Sequence, residues 1–252
     1  MKLAKSINRL GTETAFEVLA KAKKLEAQGK EIVHLEIGEP DFETPIHIKE
    51  AAKKALDDNF THYVPSPGLM EVREVIAENQ SEVHNKIISP ENVVFTPGAK
   101  PIMFFTIMAL IEPGDEVIYP NPGFPIYESM INYVGGKAIP MELKEEKDFN
   151  ADVDLMEESI TDKTKLIILN SPNNPCGSVM DPSDIKRIAS IAKEKDIVIL
   201  TDEVYKDLYF EGSHNSVYDF DGMEENVVIL DGFSKSYAMT GWRLGCGIFP
   251  NQ

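Results

Sequence analysis

The 252-residue chain has only two cysteines, one tryptophan and five histidines. Cys176 and Cys246 are far apart, which excludes a disulfide framework and a cysteine metal-ligand pair. His34, His47, His62, His84 and His214 show no H-E-x-x-H or similar spacing, so none is assigned to a metal. Long hydrophobic runs are also lacking. The longest, Ile102 to Ile111, is interrupted by Thr106 and falls far short of the roughly 20 residues that span a bilayer. The N-terminus has no apolar segment of signal-peptide length. A reduced, soluble, cytoplasmic protein is expected. Positive charge is scarce: 25 Lys+Arg stand against 42 Asp+Glu, a net charge of −17 with pI near 4.7. Such a chain repels nucleic acid and anionic membrane, although a local pocket can still hold one phosphate. The glycine motifs of common nucleotide sites are absent too. No G-x-G-x-x-G follows a strand, and Gly136-Lys137 is followed by Ala138 rather than Ser or Thr.

What is present is an ordinary globular balance, 42% apolar and 27% charged, which places the chain with packed rather than disordered proteins. Residues 13–29 have helical periodicity, 32–38 read as a short strand, and 46–58 and 68–82 read as helices. From Asn92 the pattern changes. Short, nearly continuous apolar runs occupy 92–96, 115–120, 137–143, 165–170, 196–203, 226–232 and 243–249. Runs without strict alternation suit strands buried on both faces. Helical patterns lie between several of them. One spans 181–196, with Asp181 as N-cap and Pro182 at the first helical position. Strand and helix in alternation predict an α/β protein: a mainly parallel sheet of about seven strands with helices on both faces, an α/β/α sandwich. In such sheets ligands gather at the carboxyl ends of the strands.

The polar punctuation falls at those ends. In GFSKSYAMTGWRLG, Lys235 follows an apolar strand end, Ser234 and Ser236 flank it, and Arg243 opens the next run. Serine and arginine beside a lysine suit a phosphate clamp next to a Schiff base, although a solvated loop lysine reads equally well from this segment alone. SPNNPCG puts Asn174 just past the strand at 165–170. TDEVY puts Asp202 and, three residues on, Tyr205 just past the strand at 197–201. FTPGAK sets Gly98, Ala99 and Lys100 between a strand and a helix, where backbone N–H groups bind phosphate readily. Each segment alone is also an ordinary turn or helix start. Together they bring an acid, a phenol, an amide, a lysine and a phosphate site to one sheet edge.

SPNNPCG, DEVY and SKSYAMTGWRLG, in that order and spacing, resemble the class I/II aminotransferases of fold type I. GEPDFETP (38–45) is similar to the aspartate aminotransferase subgroup. The resemblance covers essentially the whole chain and implies pyridoxal 5'-phosphate as cofactor. It implies that Lys235 forms the Schiff base and moves the substrate proton, and that Asp202 pairs with the pyridine nitrogen. Asn174 and Tyr205 are expected on the phenolic oxygen, and Phe124 on the ring face, although Phe124 also reads as a core aromatic. Ser234, Arg243 and the backbone of Gly98, Ala99 and Lys100 are expected on the phosphate. Tyr63 matches a tyrosine that reaches the phosphate of a neighbouring subunit, which implies a homodimer. Gly38 and Asn174 are expected beside the substrate. Lys100 is either a contact for a distal substrate carboxylate or a solvent-facing lysine.

The implied reaction is transamination between an amino acid, with aspartate favoured, and a 2-oxo acid. A carbon–sulfur β-lyase using the same cofactor stays open, because fold does not fix reaction. So does a non-catalytic fragment. Cys176 stands where the family usually has threonine, and Gly232 where some relatives have serine. The resemblance divides the chain into a segment at 1–45 that would join a small domain and a cofactor-binding large domain at 46–252. The C-terminal small domain of the family, with its arginine for the substrate carboxylate, has no counterpart here, which implies impaired turnover.

Overall fold

The computed structural model describes residues 2–11 and 14–250. Glu13, at the start of the 13–29 helical pattern, and the last two residues lie outside the described residues.

Among the described residues seven α-helices and eight strands follow in order: α1 (Thr14–Glu26), α2 (Ile46–Asp57), α3 (Met70–His84), β1 (Val93–Thr96), α4 (Lys100–Leu110), β2 (Glu116–Asn121), α5 (Ile126–Val134), β3 (Lys137–Lys144), β4 (Asn150–Ala151), α6 (Val153–Glu158), β5 (Thr164–Asn170), α7 (Pro182–Glu194), β6 (Val198–Asp202), β7 (Val227–Gly232) and β8 (Gly245–Ile248). The strands form one sheet in the order β1-β8-β7-β6-β5-β2-β3-β4. The pairs joining β3, β2, β5, β6 and β7 are parallel, while β8 is antiparallel to both β1 and β7. Thus β1 runs with the parallel set, and the carboxyl ends of β1, β5, β6 and β7 share one edge.

Successive strand residues face opposite ways, and the core divides accordingly. Ile167, Ile199, Val227 and Ile229 pack with Ala77 of α3, Met156 of α6 and Ile188 of α7. Their neighbours Leu166, Ile168, Leu200 and Val228 pack with Ile102 and Ile107 of α4 and Ile131 of α5. Two apolar layers on one sheet explain why the strands carry runs rather than alternation. They also produce the expected α/β/α sandwich. Helix α7 starts as its residues dictate: Asp181 accepts from the Ser183 N–H, and Pro182 opens the helix.

The structure corrects the reading in two places. Residues 32–38 form no strand. A strand needs a ladder partner, and none among the described residues pairs with this segment. Val33 and Leu35 are left 81% and 89% exposed. The eighth strand, β4, was not anticipated. It is two residues long and pairs antiparallel with the end of β3, too short to leave a pattern. Among the described residues no helix is long and apolar enough to cross a membrane.

Candidate active site

Register lines up the strand ends. Asn170 pairs with Asp202 across β5 and β6, while Gly245 of β8 faces Thr96 on one side and Gly232 on the other. Residues from five separate sequence segments therefore meet at one edge.

Asp202 is buried at the end of β6. Its Oδ2 accepts from the Tyr127 hydroxyl at 2.5 Å, and its Oδ1 accepts from the Val204 N–H at 3.3 Å. Burial pushes this carboxyl up to about 6, against the pull of those two donors. No cation among the described residues pairs with it. Beside it, Asn174 Nδ2 donates to the Tyr205 hydroxyl at 3.2 Å. Asn170 joins the two strands: its Oδ1 accepts from Asn174 N–H at 2.8 Å and its Nδ2 donates to the Asp202 carbonyl at 3.1 Å.

Lys235 lies in the loop after β7. Its Nζ stands 5.9 Å from the centre of the Tyr205 ring and donates to the Gly38 carbonyl at 2.5 Å. Burial lowers its pKa, with Glu39 opposing. The loop is fastened to residues 38–44 by three further bonds. Thr240 donates to Glu39 at 3.0 Å, Thr44 donates to the Ala238 carbonyl at 2.5 Å, and the Trp242 indole donates to Thr44 at 3.1 Å. The segment expected beside the substrate is thus laid directly on the lysine.

At the end of β1, Gly98 takes φ +86°, and a Cβ there would overlap the Arg243 guanidinium. The turn brings the guanidinium against the start of α4, whose N-cap residue Ala99 makes no side-chain capping bond. The Gly98 N–H itself is occupied by the Thr96 carbonyl, so Gly98 serves by shape and leaves donation to the residues after it. Gly245 packs on the same turn, where a Cβ would collide with the Ala99 backbone. Gly232 is similarly close: a Cβ would sit 3.3 Å from that of Ala99. Lys100 Nζ stands 5.2 Å over the Phe124 ring, and Phe124 meets Tyr127 edge-on at 5.7 Å.

The structure therefore brings together Gly38, Gly98, Ala99, Lys100, Phe124, Asn174, Asp202, Tyr205, Lys235 and Arg243. Ser234 directly precedes Lys235 in the same loop. Tyr63 stands apart, fully exposed, with no hydrogen bond or ring contact among the described residues. Cys176 is half-buried, and burial raises its thiol, which disfavours the reactive thiolate. Two site residues were not anticipated. Asn170 was visible as a polar end to an apolar strand. Tyr127 left no signal, because its partner lies 75 residues away. Among the described residues no group of three or more His, Cys, Asp or Glu is placed to hold a metal ion.

This constellation has known counterparts. Residues 30–252 match the model of the family "Aminotransferase class I and II". The chain belongs to that family. Family members depend on pyridoxal phosphate. A probable aspartate aminotransferase of Methanocaldococcus jannaschii is 45% identical over 213 residues, covering 84% of this chain and 56% of that protein. A (5-formylfuran-3-yl)methyl phosphate transaminase of the same organism is 40% identical over 243 residues, covering 96% and 62%. The structure of Thermus thermophilus aspartate aminotransferase with maleate superposes with a TM-score of 0.96 at 36% identity, covering 99% of this chain and 65% of that one. The chain thus spans 56–65% of the length of these relatives.

Proposed function

We propose that this chain is the cofactor-binding part of an aminotransferase that moves an amino group between an amino acid and a 2-oxo acid. The observation that carries the reading is the buried Asp202, with no cation beside it among the described residues, at the same sheet edge as a lysine and a helix start that has no side-chain cap and is clamped by arginine. A protonated pyridine nitrogen, a carbonyl carbon and a phosphate are the three groups these features accept, so the residues present fit pyridoxal phosphate. When bound, that cofactor supplies an electron-withdrawing ring and the carbon to which amines attach.

The residues divide the remaining work. Asp202 holds the proton on the ring nitrogen. Asn174 and Tyr205 donate toward the phenolic oxygen, and Phe124 covers a ring face. Ser234, Arg243 and the N–H groups opening α4 at Ala99 and Lys100 bind the phosphate. Lys235 Nζ is the attachment point, and burial makes it a better nucleophile by favouring the neutral amine. Once free, the same amine moves the proton from the substrate Cα. Gly38 lies by the substrate, and Lys100, above Phe124, receives a distal carboxylate, which favours aspartate as donor. Residues 46–252 form the cofactor domain, and 1–45 the segment that would join a small domain. Exposed Tyr63 reaches the phosphate of a second copy, which makes the working form a homodimer.

The test is to mix the chain with pyridoxal phosphate, reduce with borohydride and map the modified peptide by mass. A pyridoxyl adduct on Lys235 is expected. A folded chain without one would sink the cofactor reading. Half-reactions with aspartate and with cystathionine then separate transamination from β-elimination.

A further inference from the structure

Tyr127 belongs to none of the motifs that mark the site, yet it is completely buried. A phenol hydroxyl in the core is costly unless it finds an acceptor. Here the acceptor is Asp202 Oδ2, at 2.5 Å. The ring of the same residue packs edge-on against Phe124, with an interplanar angle of 84°. One side chain of α5 therefore touches both the acid at the end of β6 and the aromatic residue that precedes the helix.

The surroundings of Asp202 give that contact its weight. The titratable groups facing its carboxyl are Tyr127 from α5, Asp231 from β7, and Glu203 and Tyr205 from its own segment. Asp231 and Glu203 oppose its ionisation, as does burial. The Tyr127 hydroxyl and the Val204 N–H favour the carboxylate. Burial, then the charge of Asp202, raise the Tyr127 pKa well above the usual value, so the phenol remains a donor.

We propose that Tyr127 is a positioning residue: its hydroxyl holds the Asp202 carboxylate ionised and in one orientation for the ring nitrogen of pyridoxal phosphate, while its ring edge seats Phe124 against the cofactor face. This deepens the cofactor assignment above and rests on it. The assigned roles of Asp202 and Phe124 are then linked by one rigid side chain rather than set independently. A hydroxyl-free residue of the same shape would fill the core equally well, so removing one oxygen isolates the function.

The experiment uses this chain with Tyr127→Phe, its folding checked by circular dichroism. In the unliganded protein, the aspartate carboxyl carbons are labelled with 13C and titrated by NMR, with Asp202 assigned through Asp202→Asn. Loss of the hydroxyl is expected to raise the Asp202 midpoint by about one pH unit. In a second measurement pyridoxal phosphate labelled with 15N in the ring is titrated in. Its dissociation constant is expected to rise about tenfold, the effect of losing one hydrogen bond to a charged group. The ring-nitrogen resonance is expected to move toward the unprotonated form. In an Asp202→Asn background the same change should add almost nothing, because the hydroxyl acts through that carboxylate.

A parent chain that binds no cofactor overturns the reading on which the proposal rests. A parent that binds it, with the Tyr127→Phe midpoint and dissociation constant unchanged, overturns the proposal alone. Should that variant not fold, 3-fluorotyrosine in place of Tyr127 is nearly isosteric and a stronger donor. It is expected to lower the Asp202 midpoint, and no movement there overturns the proposal equally.

Discussion

Gly98 shows how much one residue can carry at this edge. Its φ of +86° and the overlap of any Cβ with Arg243 act together. Gly98→Ala is expected to destabilise the chain by about 1–2 kcal/mol and to weaken pyridoxal phosphate binding at least tenfold, because the guanidinium must leave the start of α4. Urea unfolding and a cofactor titration check the two parts. Neighbouring acids behave oppositely. Asp202 has its pKa raised from 3.8 to about 6, mainly by burial. Its contribution is therefore full below pH 3.8 and lost as pH rises through 6, a penalty of about 3 kcal/mol in the ionised state. Asp202→Asn is expected to stabilise the unliganded chain at pH 8 while abolishing tight cofactor binding.

Glu203, one residue on, is completely buried and sits at about 2. Burial alone would raise it, but the His214 hydrogen bond and charge, the charge of His84 and the Ser216 hydroxyl more than reverse that. Its contribution is present above pH 4.5 and lost as pH falls toward 2, again about 3 kcal/mol. Glu203→Gln is expected to lose this stability at neutral pH and to flatten the acid limb of a stability–pH curve. The motif residues of the site were readable because each lies in a short run of characteristic order. Tyr127 and the Glu203 network were not. Their contacts join positions brought together by strand register, on which local spacing is silent.

At the scale of elements, the seven apolar runs from Asn92 onward became strands within a few residues of their expected limits, most clearly β2, β5, β6, β7 and β8, which are buried on both faces. The 32–38 run reads just as apolar and fails. Burial partners decide a strand, and here they are missing among the described residues. Helix α7 was legible in full, from cap to first proline, since those signals act within one turn. Asp181→Ala is expected to cost about 1 kcal/mol, measurable by thermal unfolding. Ile188, on the buried face of the same helix, is expected to cost about 2–5 kcal/mol as Ile188→Ala. The contrast between the two would show that packing, more than capping, holds α7 to the sheet.

For the whole molecule, exposed apolar side chains concentrate before residue 65. Val33, Leu35, Phe42, Ile46, Phe60 and Tyr63 are each more than 60% exposed. Apolar side chains left exposed in such numbers suit a surface that another chain covers. If Tyr63 completes the phosphate site of a second copy, apparent affinity for pyridoxal phosphate should rise with protein concentration, and Tyr63→Ala should remove that dependence. Fluorescence titration at several chain concentrations is the check. An affinity that is already independent of concentration in the parent would argue against sharing.

Among the described residues strand β8 comes last in sequence but not in space: it lies between β1 and β7. On a ribosome, β1 is made about 150 residues before β8, its sheet partner among the described residues, a gap of roughly ten seconds or more at ordinary elongation rates. Through that interval the β1 turn and the lysine loop have no strand to join them. The nascent chain cannot close the phosphate cradle early, and cofactor capture must wait for β8 to complete the sheet.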